Sequence, residues 1–585
     1  MIKPNKKSRR VSIPFYNVVD IETLPDGTVD DIGFAWYMNE VRCYKVFKTW
    51  DDWISFILPL AKKDKSMRKI YAHNGANFDW LSLIAWVRDN NLWEKAKVIM
   101  SGSKAVGMDL RLGNKNGTLR LRDSLRLLLS SLDSLSKGFK TAYKKLSLGD
   151  ELPCEVKKTD PERYYEYLKT DCFALQDILR EFHALVNEKI APVNTLPMTI
   201  SSLTFSLWKD NYLKKPIMTA WNQKLKDFFR ASYKGGRTDC FTLGEFKEVF
   251  GYDINSLYPY IMSRVDVPLS YLGSWTDSFS GHGIYEIEYE QTNKKVPPLL
   301  MDGATGDFIY KGSGVYCHPE IEKLIELGGE VKIIRGYIFE KWGNPFKDYV
   351  KKLYDLRLEA KDRGDVALDH VAKIAMNSLY GKFGERPEGE ELRLMSWDDY
   401  VKALEEGKQV TNHGDVTAIK TERRVEHEFC PIASYITSYA RLELYKYIEL
   451  AGVNAVYVDT DSLYSLAPLP DHLIDPKRLG AMKKEFQGAG IFTGKKQYAL
   501  KGIDRDKMVL KGVTTKGRNR ADVRYSDYRE LLKGFRKKYY YKSCTTVKDV
   551  LVKNKKSCFW DKKFKEIKGT GVSFFKNQKI IDNSV

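Results

Sequence analysis

Two aspartates stand two residues apart at the end of the most strand-like run in the chain, Asn454-Ala455-Val456-Tyr457-Val458-Asp459-Thr460-Asp461-Ser462-Leu463-Tyr464. Val and Tyr at this density favour a buried strand. A carboxylate buried without a partner is costly. A fold that accepts this run must therefore set something positive beside Asp459 and Asp461, and that requirement governs what the other segments have to supply.

The chain is long enough, at 585 residues, for several domains. Its 43% apolar and 30% charged residues are ordinary for a globular protein, and no low-complexity tract or internal repeat interrupts them. No run of about 20 apolar residues is present, so no membrane span is expected. The basic start MIKPNKKSRRV has no apolar segment behind it, so no signal peptide is expected. Eight scattered cysteines without a CxxC predict reduced thiols, a cytoplasmic setting and no zinc ribbon. The net charge of +19 is concentrated in residues 495–585, which carry 26 Lys and Arg against 9 Asp and Glu. Aromatics interleave there, as in GFRKKYYYKS and KKSCFWDKKFKEIK. A solvated charged face is one reading. The favoured one is a nucleic-acid surface, with cations on phosphates and rings on sugars or bases.

In the N-terminal third, YNVVDIETLPDG reads as a strand with Asp20 and Glu22 on one face, closed by a turn at Pro25-Asp26-Gly27. In YAHNGANFDWLSLIAW, Asp79 opens an apolar helical stretch. In ERYYEYLKTDCFALQDIL, Tyr167 and Asp171 lie at i and i+4 on one helix face. Taken singly, Asp79 reads equally as a helix cap and Asp171 as an exposed helix charge. As an ordered set, DxE, NxxxFD and YxxxD resemble the 3′–5′ proofreading exonucleases of the DnaQ-like (RNase H-like) fold. The resemblance implies that Asp20, Glu22, Asp79 and Asp171 hold two divalent ions and that Tyr167 orients the attacking water. It further implies that Asn74 and Phe78, and Ser124 and Leu125 in LRDSLRLLLSSL, contact single-stranded DNA. Lys145 matches a lysine on the scissile phosphate, with Lys144 beside it as the alternative. NGANFD has one residue more between Asn and Phe than the shortest family spelling, which leaves the role of Asn77 open.

Further along, ASYKGGRTD places Gly235 and Gly236 where a backbone can approach a ligand closely. In GYDINSLYPYIM a strand ends at Asp253 and turns into a helix with Pro259 near its start. RGDVALDHVAKIAMNSLYGKFG predicts one helix ending at Gly381. On it Lys373, Asn377 and Tyr380 form a polar stripe at i, i+4 and i+7, while Ile374, Ala375 and Leu379 face the core. Such a stripe suits an exposed face or a ligand.

DxxSLYP, KxxxNSLYG and YxDTDS in this order resemble the three core motifs of family B DNA polymerases. That resemblance supplies the positive partner the opening run needs. Two magnesium ions, replaceable by manganese, would sit among Asp253, the Ile254 carbonyl, Asp459 and Asp461. Lys373, with Lys361 as a second candidate, would neutralise the triphosphate, and Asn377 shares the nucleotide site. Tyr258 would lie under the deoxyribose and exclude a 2′-hydroxyl, and Tyr380 would pack on the nascent base pair. Tyr233, Gly235 and Gly236 of the YxGG element, Thr437 and Arg441 of TSYAR, and Lys496 and Tyr498 of a KxY element would bind the template–primer. The compact layout, with DxE already at residue 20, and the YxGG, NSLYG and DTDS spellings look like the protein-primed branch, the small phage polymerases of the phi-29 type.

The expected fold is thus a multidomain α/β chain joining a DnaQ-like exonuclease domain to a right-hand polymerase with two insertions. The exonuclease domain is expected at 1–190, the palm at 191–261 and 429–500, the fingers at 346–384, and the thumb with the basic C-terminal region at 501–585. The first insertion, 262–345, is expected to dock a priming protein. The second, 385–428, is expected to encircle DNA for processivity and strand displacement, with an acidic helix at 390–407 and a strand at 416–425; an ordinary fingers-to-palm connection is the alternative. The function expected is DNA-templated DNA synthesis with 3′–5′ proofreading, replicating a linear phage or plasmid genome from a protein primer in the host cytoplasm. Expected partners are template and primer DNA, dNTPs, a separate terminal (priming) protein and a single-stranded DNA-binding protein, with the enzyme itself a monomer. Competing readings are the same chemistry with a conventional primer or none, RNA synthesis or reverse transcription, and a DNA-binding protein with an inactive palm. Tyr258 argues for deoxynucleotides, and two intact carboxylate sets argue against an inactive palm.

Overall fold

The computed structural model describes residues 1–4, 12–92, 95–101, 104–113, 117–149, 151–220, 222–386, 388–394, 397–408, 410–413, 416–422, 428–502, 506–515, 520–544, 546–552 and 560–569. Among these residues the strands form sheets of ten, seven and four, with two further pairs.

In the ten-stranded sheet, strand Asn17–Thr23 runs antiparallel to Val29–Met38 and parallel to Lys69–Ala72, which is itself parallel to Thr118–Asp123. Its period of two sorts the side chains. Val19 and Ile21 pack with Trp53 and Trp80 on one side. Val18 packs on the other with Cys172 and Leu175 of the long helix Pro161–Leu185. Asp20 and Glu22 share the parity of Val18, so the strand aims both carboxylates at the helix that carries Asp171. The turn after the strand closes with Leu24 N–H on the Thr28 carbonyl at 2.9 Å and Gly27 at φ 84°.

The seven-stranded sheet centres on Gly244–Ile254, flanked by Ser462–Ser465 and Met482–Gly494. Helices Leu257–Arg264 and Cys430–Ala451 pack together, the latter burying Ile432, Tyr435, Ile436, Leu444 and Ile448. Helices Lys347–Arg363 and Val366–Asn377 form a hairpin. Gly364 supplies the left-handed residue at φ 68°, and Asp365 caps the second helix from Leu368 N–H at 2.9 Å. This helix stops at Asn377, short of the expected Gly381. Tyr380 opens a separate 3₁₀ turn, Tyr380–Lys382, a common way for the last turn of a helix to tighten. Tyr380 therefore does not continue the Lys373–Asn377 stripe.

Residues 273–339 hold the four-stranded sheet, ordered Gly273–Thr276, Glu330–Phe339, Gly283–Glu290, Lys311–Cys317. Directly opposed charges bind its strands: Arg335 to Glu286 at 2.6 Å, Lys332 to Glu288 at 3.0 Å and Lys311 to Glu290 at 2.8 Å.

Two distant segments return to the N-terminal unit. Strand Glu388–Leu394 pairs, through Glu391↔Ile99 and Leu392↔Val98, with Ala96–Ser101, which would be the edge of the N-terminal sheet without it, and Val416–Glu422 and Val410–His413 extend the same sheet. The acidic helix expected at 390–407 is confined to Trp397–Glu405. Leu392 and Leu394 alternate with Glu391 and Arg393, and the unpaired backbone of an edge strand captures such a segment over its helical propensity. Of the strand expected at 416–425, Val416–Glu422 is a strand and 423–425 lie outside the described residues. Near the C-terminus, Arg536–Cys544 pairs with Trp560–Lys568. Between them lies helix Val547–Val552. Its Val547 and Val550 are buried in the same core as Trp53 and Trp80, and Arg88 donates to the Val550 carbonyl.

No helix among the described residues is long and apolar enough to cross a membrane. The cysteines Cys43, Cys154, Cys172, Cys240, Cys317 and Cys430 are free thiols.

Candidate functional site

The opening run folds as a tight hairpin, Ala455–Asp459 and Ser462–Ser465. Thr460 takes the left-handed conformation at φ 66°, so the chain reverses between Asp459, the last residue of its strand and registered against Ser462 and Thr238, and Asp461 in the turn. The turn is held from three sides. Asp461 N–H donates to the Asp459 carbonyl at 2.8 Å, Ile254 N–H to the Asp461 carbonyl at 2.8 Å, and Thr460 N–H to the Arg237 carbonyl at 2.7 Å. Asp253 is registered against Ser462, so its strand brings it beside the pair. All three aspartates line a cavity of about 410 Å³ that Tyr464, Glu485, Tyr498 and Lys507 help to form. Burial, then the neighbouring charge of Asp461, pushes Asp253 up to about 7. Burial, with Asp459 and Glu485 adding to it, pushes Asp461 up to about 6. Asp459 has found its cation: Lys496 Nζ donates to its two carboxylate oxygens at 3.0 and 2.9 Å, and Thr238 Oγ1 donates at 2.9 Å.

The residues expected around this site fall into two groups. Tyr258 and Tyr380 stack at 4.3 Å, and the positive charge of Lys373 is felt at both Asp253 and Asp461. Lys361 lies in a cationic cluster: burial, then Arg357, Lys483 and Lys373, lowers its pKa. A site crowded with cations suits a polyanion. The second group is buried. Thr437 Oγ1 donates to the Ser434 carbonyl at 3.1 Å. Arg441 pairs with Glu320 at 2.8 Å and donates to the carbonyls of Lys234 and Gly235 at 2.8 and 2.9 Å. Tyr498 is 4% exposed, packed on Tyr457, Tyr464 and Phe492. Of these three, Tyr498 still lines the aspartate cavity, and Arg441 holds the carbonyls of the YxGG segment. Tyr233 packs against Gly384, where a Cβ would meet its ring at 2.5 Å. Gly236 lies against Thr460 and Tyr258, while Gly235 faces open space.

The second carboxylate set converges between the ten-stranded sheet and helix Pro161–Leu185. Asp79, at the start of helix Asp79–Asp89, accepts Ile21 N–H at 3.1 Å, which ties it to the strand between Asp20 and Glu22. Tyr167 bonds Glu22 and lies 3.5 Å from Lys145 Nζ. Lys145 forms an ion pair with Asp171, while Lys144 donates to the Ser136 carbonyl at 2.8 Å. Burial, then the charge of Asp171, pushes Asp20 up to about 7, and burial and mutual repulsion hold Glu22 and Asp79 well above the carboxylate range. Burial works against the Lys145 ammonium, but Asp171 and Asp20 more than offset it and raise its pKa. Asn77 donates to the Asn74 side-chain oxygen at 2.7 Å, and Asn74 is left-handed at φ 65°. Phe78 is half-buried beside them. Ser124 is buried and donates to the Ala72 carbonyl at 3.1 Å, leaving the half-buried Leu125 as the more open member of its pair.

The sequence description DNA polymerase type B, organellar and viral, matches residues 154–452, just over half of the chain. The chain belongs to this family. It is 26% identical to a "Probable DNA polymerase" of Ascobolus immersus over 90% of this chain and 49% of that protein. It is 27% identical to the DNA-directed DNA polymerase of Enterobacteria phage PRD1 over 80% of this chain and 79% of that protein. The chain spans about half the length of the first curated relatives it matches. Among solved structures, Phi29 DNA polymerase complexed with primer-template DNA and incoming nucleotide substrates superposes with a TM-score of 0.74 at 20% identity, covering 94% of this chain and 99% of that one. The shared fold is that of a type B polymerase, palm, fingers, thumb and exonuclease-like unit together.

Both carboxylate sets of this type B chain are chemically suited to hard divalent cations, being all-oxygen and mutually repulsive. Asp171 Oδ1 is buried without a hydrogen-bond partner, an acceptor left for a ligand. Among the described residues no group of three or more His, Cys, Asp or Glu is arranged to hold a metal as it stands. In each site a lysine, Lys145 or Lys496, takes the place of a cation on one carboxylate.

Sequence reasoning passed over three residues here. Asp123 accepts Asn74 N–H at 2.9 Å, Leu125 N–H at 3.0 Å and Ala76 N–H at 3.4 Å, so one carboxylate organises both segments expected to grip single-stranded DNA. Thr238 orients Asp459, and Arg357 bridges Asp369 and Ser256 at 2.8 and 3.0 Å. Asp123 stands directly before Ser124 in DSL, which was the available signal; the other two had none.

Proposed function

We propose that the chain is a DNA-templated DNA polymerase with a separate 3′–5′ exonuclease centre. The observation that carries this reading is the Asp459–Thr460–Asp461 turn set beside Asp253 in an open cavity, in a chain of the type B family. Magnesium at Asp253, the Ile254 carbonyl, Asp459 and Asp461 would activate the primer 3′-hydroxyl and neutralise the triphosphate, and a second pair of ions at Asp20, Glu22, Asp79 and Asp171 would serve hydrolysis. The protein supplies position. Lys361, Lys373 and Lys483 gather positive charge where the triphosphate docks, with Asn377 beside them. The stacked Tyr258 and Tyr380 floor the sugar and base. Arg441 fixes the carbonyls of the YxGG loop, so that its open Gly235 can approach the template–primer. Lys496, held on Asp459, stands where its ammonium would also meet a phosphate of the primer strand. In the exonuclease centre Tyr167, bonded to Glu22, orients the attacking water, and Lys145 meets the scissile phosphate.

Protein-primed, strand-displacing replication of a linear genome is the finer reading. What supports it is a separate four-stranded module at 273–339 between the first two palm motifs, available to seat a priming protein, and a second inserted segment, 388–422, that reaches the N-terminal sheet. Template, primer, dNTPs, a terminal protein and a single-stranded DNA-binding protein are the partners this reading needs, within a host cytoplasm and with one copy of the chain. The deciding experiment is extension of a linear template with and without the candidate priming protein. Labelled nucleotide appearing on that protein supports the reading, and synthesis only from an annealed primer removes protein priming.

Tyr258→Val is expected to raise ribonucleotide incorporation about 100-fold relative to deoxyribonucleotide, since the ring fills the space of a 2′-hydroxyl. Single-turnover rates with paired dNTP and rNTP check this, and unchanged discrimination rejects the assignment.

Metal should also stabilise the fold in a pH-dependent way. A carboxylate with a folded pKa near 7 and an unfolded value near 4 binds its proton more tightly when folded, so the metal-free protein loses stability as pH rises between those values. Magnesium takes only the ionised form and relieves that loss. Its addition is expected to raise the melting temperature by several degrees more at about pH 8 than at about pH 6. Equal shifts at both values would place the metal elsewhere.

A further inference from the structure

Arg237 follows Gly235-Gly236 and is 1% exposed. Its Nη1 donates to the Pro298 carbonyl at 2.9 Å and its Nη2 to Asp239 at 3.0 Å. The guanidinium lies over the Phe308 ring at 4.2 Å, and its Nε is buried without a partner. Burying a guanidinium is costly unless it is well paired, and here the pairing is incomplete, so packing alone is a poor reason for it. Pro298 and Phe308 belong to the inserted segment between the first two palm motifs. The main chain of Arg237 faces the other way: its carbonyl receives Thr460 N–H at 2.7 Å, at the one residue between the two catalytic aspartates. On either side, Gly236 packs so closely that a Cβ would lie 2.9 Å from Thr460 Cγ2, and Thr238 bonds Asp459. The same inserted loop reaches the site a second time, where Asp307 pairs with Lys495 at 2.8 Å, next to the Lys496 that holds Asp459.

We propose that Arg237 is a positioning residue through which the 298–308 loop of the first insertion sets the turn carrying Asp459 and Asp461, so that a protein seated on that insertion is felt at the site of nucleotide addition. This rests on the polymerase reading above. The side chain is clamped by the insertion and the carbonyl is clamped to the turn, so a shift of the loop moves the aspartates without touching DNA or nucleotide. Arg237→Gln keeps a polar group but loses the charge and three of the five N–H donors, and Arg237→Lys keeps a cationic donor. Phe308→Ala removes the ring from the insertion's side.

The experiment is single-turnover addition of one dNTP to a primed template, with 3′–5′ degradation of single-stranded DNA measured on the same preparations. Arg237→Gln is expected to lower the maximal addition rate on the order of 100-fold, as misplacement of reacting groups does, with dNTP half-saturation changed less than about threefold. Arg237→Lys should recover most of the rate. Phe308→Ala should slow addition as well, and combining it with Arg237→Gln should cost less than the sum of the two, as expected of residues in one contact. Degradation should stay within about twofold of wild type throughout, since its carboxylates lie on another sheet and on the helices packed against it. The proposal is overturned by an Arg237→Gln protein that adds nucleotides at the wild-type rate, by equal losses in both activities, or by additive effects of the two substitutions. A wild-type chain that adds no nucleotide would instead remove the polymerase reading, and the proposal with it.

Discussion

Asp459→Ala is expected to lower nucleotide addition by at least about a thousandfold while degradation of single-stranded DNA continues, and Asp20→Ala combined with Glu22→Ala is expected to do the reverse. The expectation follows from where the groups are held. Asp459 ends a strand of the seven-stranded sheet and Asp20 lies within the ten-stranded one, and the ladder of neither sheet contains a strand of the other. Nor should the first substitution unfold the protein. Asp459 gives up an ion pair to Lys496 whose side chains are 52% and 23% exposed, and exposed pairs contribute about 0–1 kcal/mol. Primer extension and release of labelled nucleotides from single strands, run on one preparation whose melting curve matches wild type, check both halves. A folded variant that loses both activities would mean that the two carboxylate sets do not act as separate centres.

Deleting 387–424 across a short Gly-Ser bridge is expected to leave addition of a single nucleotide nearly intact and to shorten products per binding event by about tenfold or more, with synthesis through a downstream duplex failing. Asp253, Asp459 and Asp461 keep their elements in such a protein. What goes is the segment that joins the fingers side of the chain to strand Ala96–Ser101. A ring holds its DNA by preventing sideways escape, and the segment's acidic composition means that attraction to phosphates is not what it offers. The loss should therefore persist at low salt, where charge contacts are strongest. Product lengths in the presence of a DNA trap measure it, and kilobase products from a folded deletion protein would remove the enclosing role.

What was legible in the sequence was whatever depends on near neighbours. DTDS states its own turn, and DxE its own face of a strand. That Asp20, Glu22, Asp79 and Asp171 meet was readable only through resemblance to a known motif order, because their chain separations carry no geometric information by themselves. Lys145 and Lys144 are equivalent in sequence and differ in the fold, where one pairs with Asp171 and the other donates to the Ser136 carbonyl. The helix expected to run to Gly381 failed at its last turn, where a 3₁₀ geometry competes closely with the α one. The helix expected from 390 begins only at Trp397, because a strand almost 300 residues away offered its backbone to the segment before it. Arg237 gave no sign at all: its meaning lies in Pro298, Phe308 and Thr460, which no local pattern connects to it.

Ala96–Ser101, whose outer partner comes from far along the sequence, also bears on how the chain comes into being. Its partner, Glu388–Leu394, leaves the ribosome about 300 residues later, a wait on the order of 15–60 s at ordinary rates of synthesis. Val547 and Val550, which cover the core beside helix Asp79–Asp89, arrive later still. Through that interval the nascent N-terminal unit displays an open β-edge and an uncovered apolar patch, the two surfaces most prone to unwanted association. A chaperone that shields strand edges during translation should thus matter more for the yield of this protein than for its activity once made.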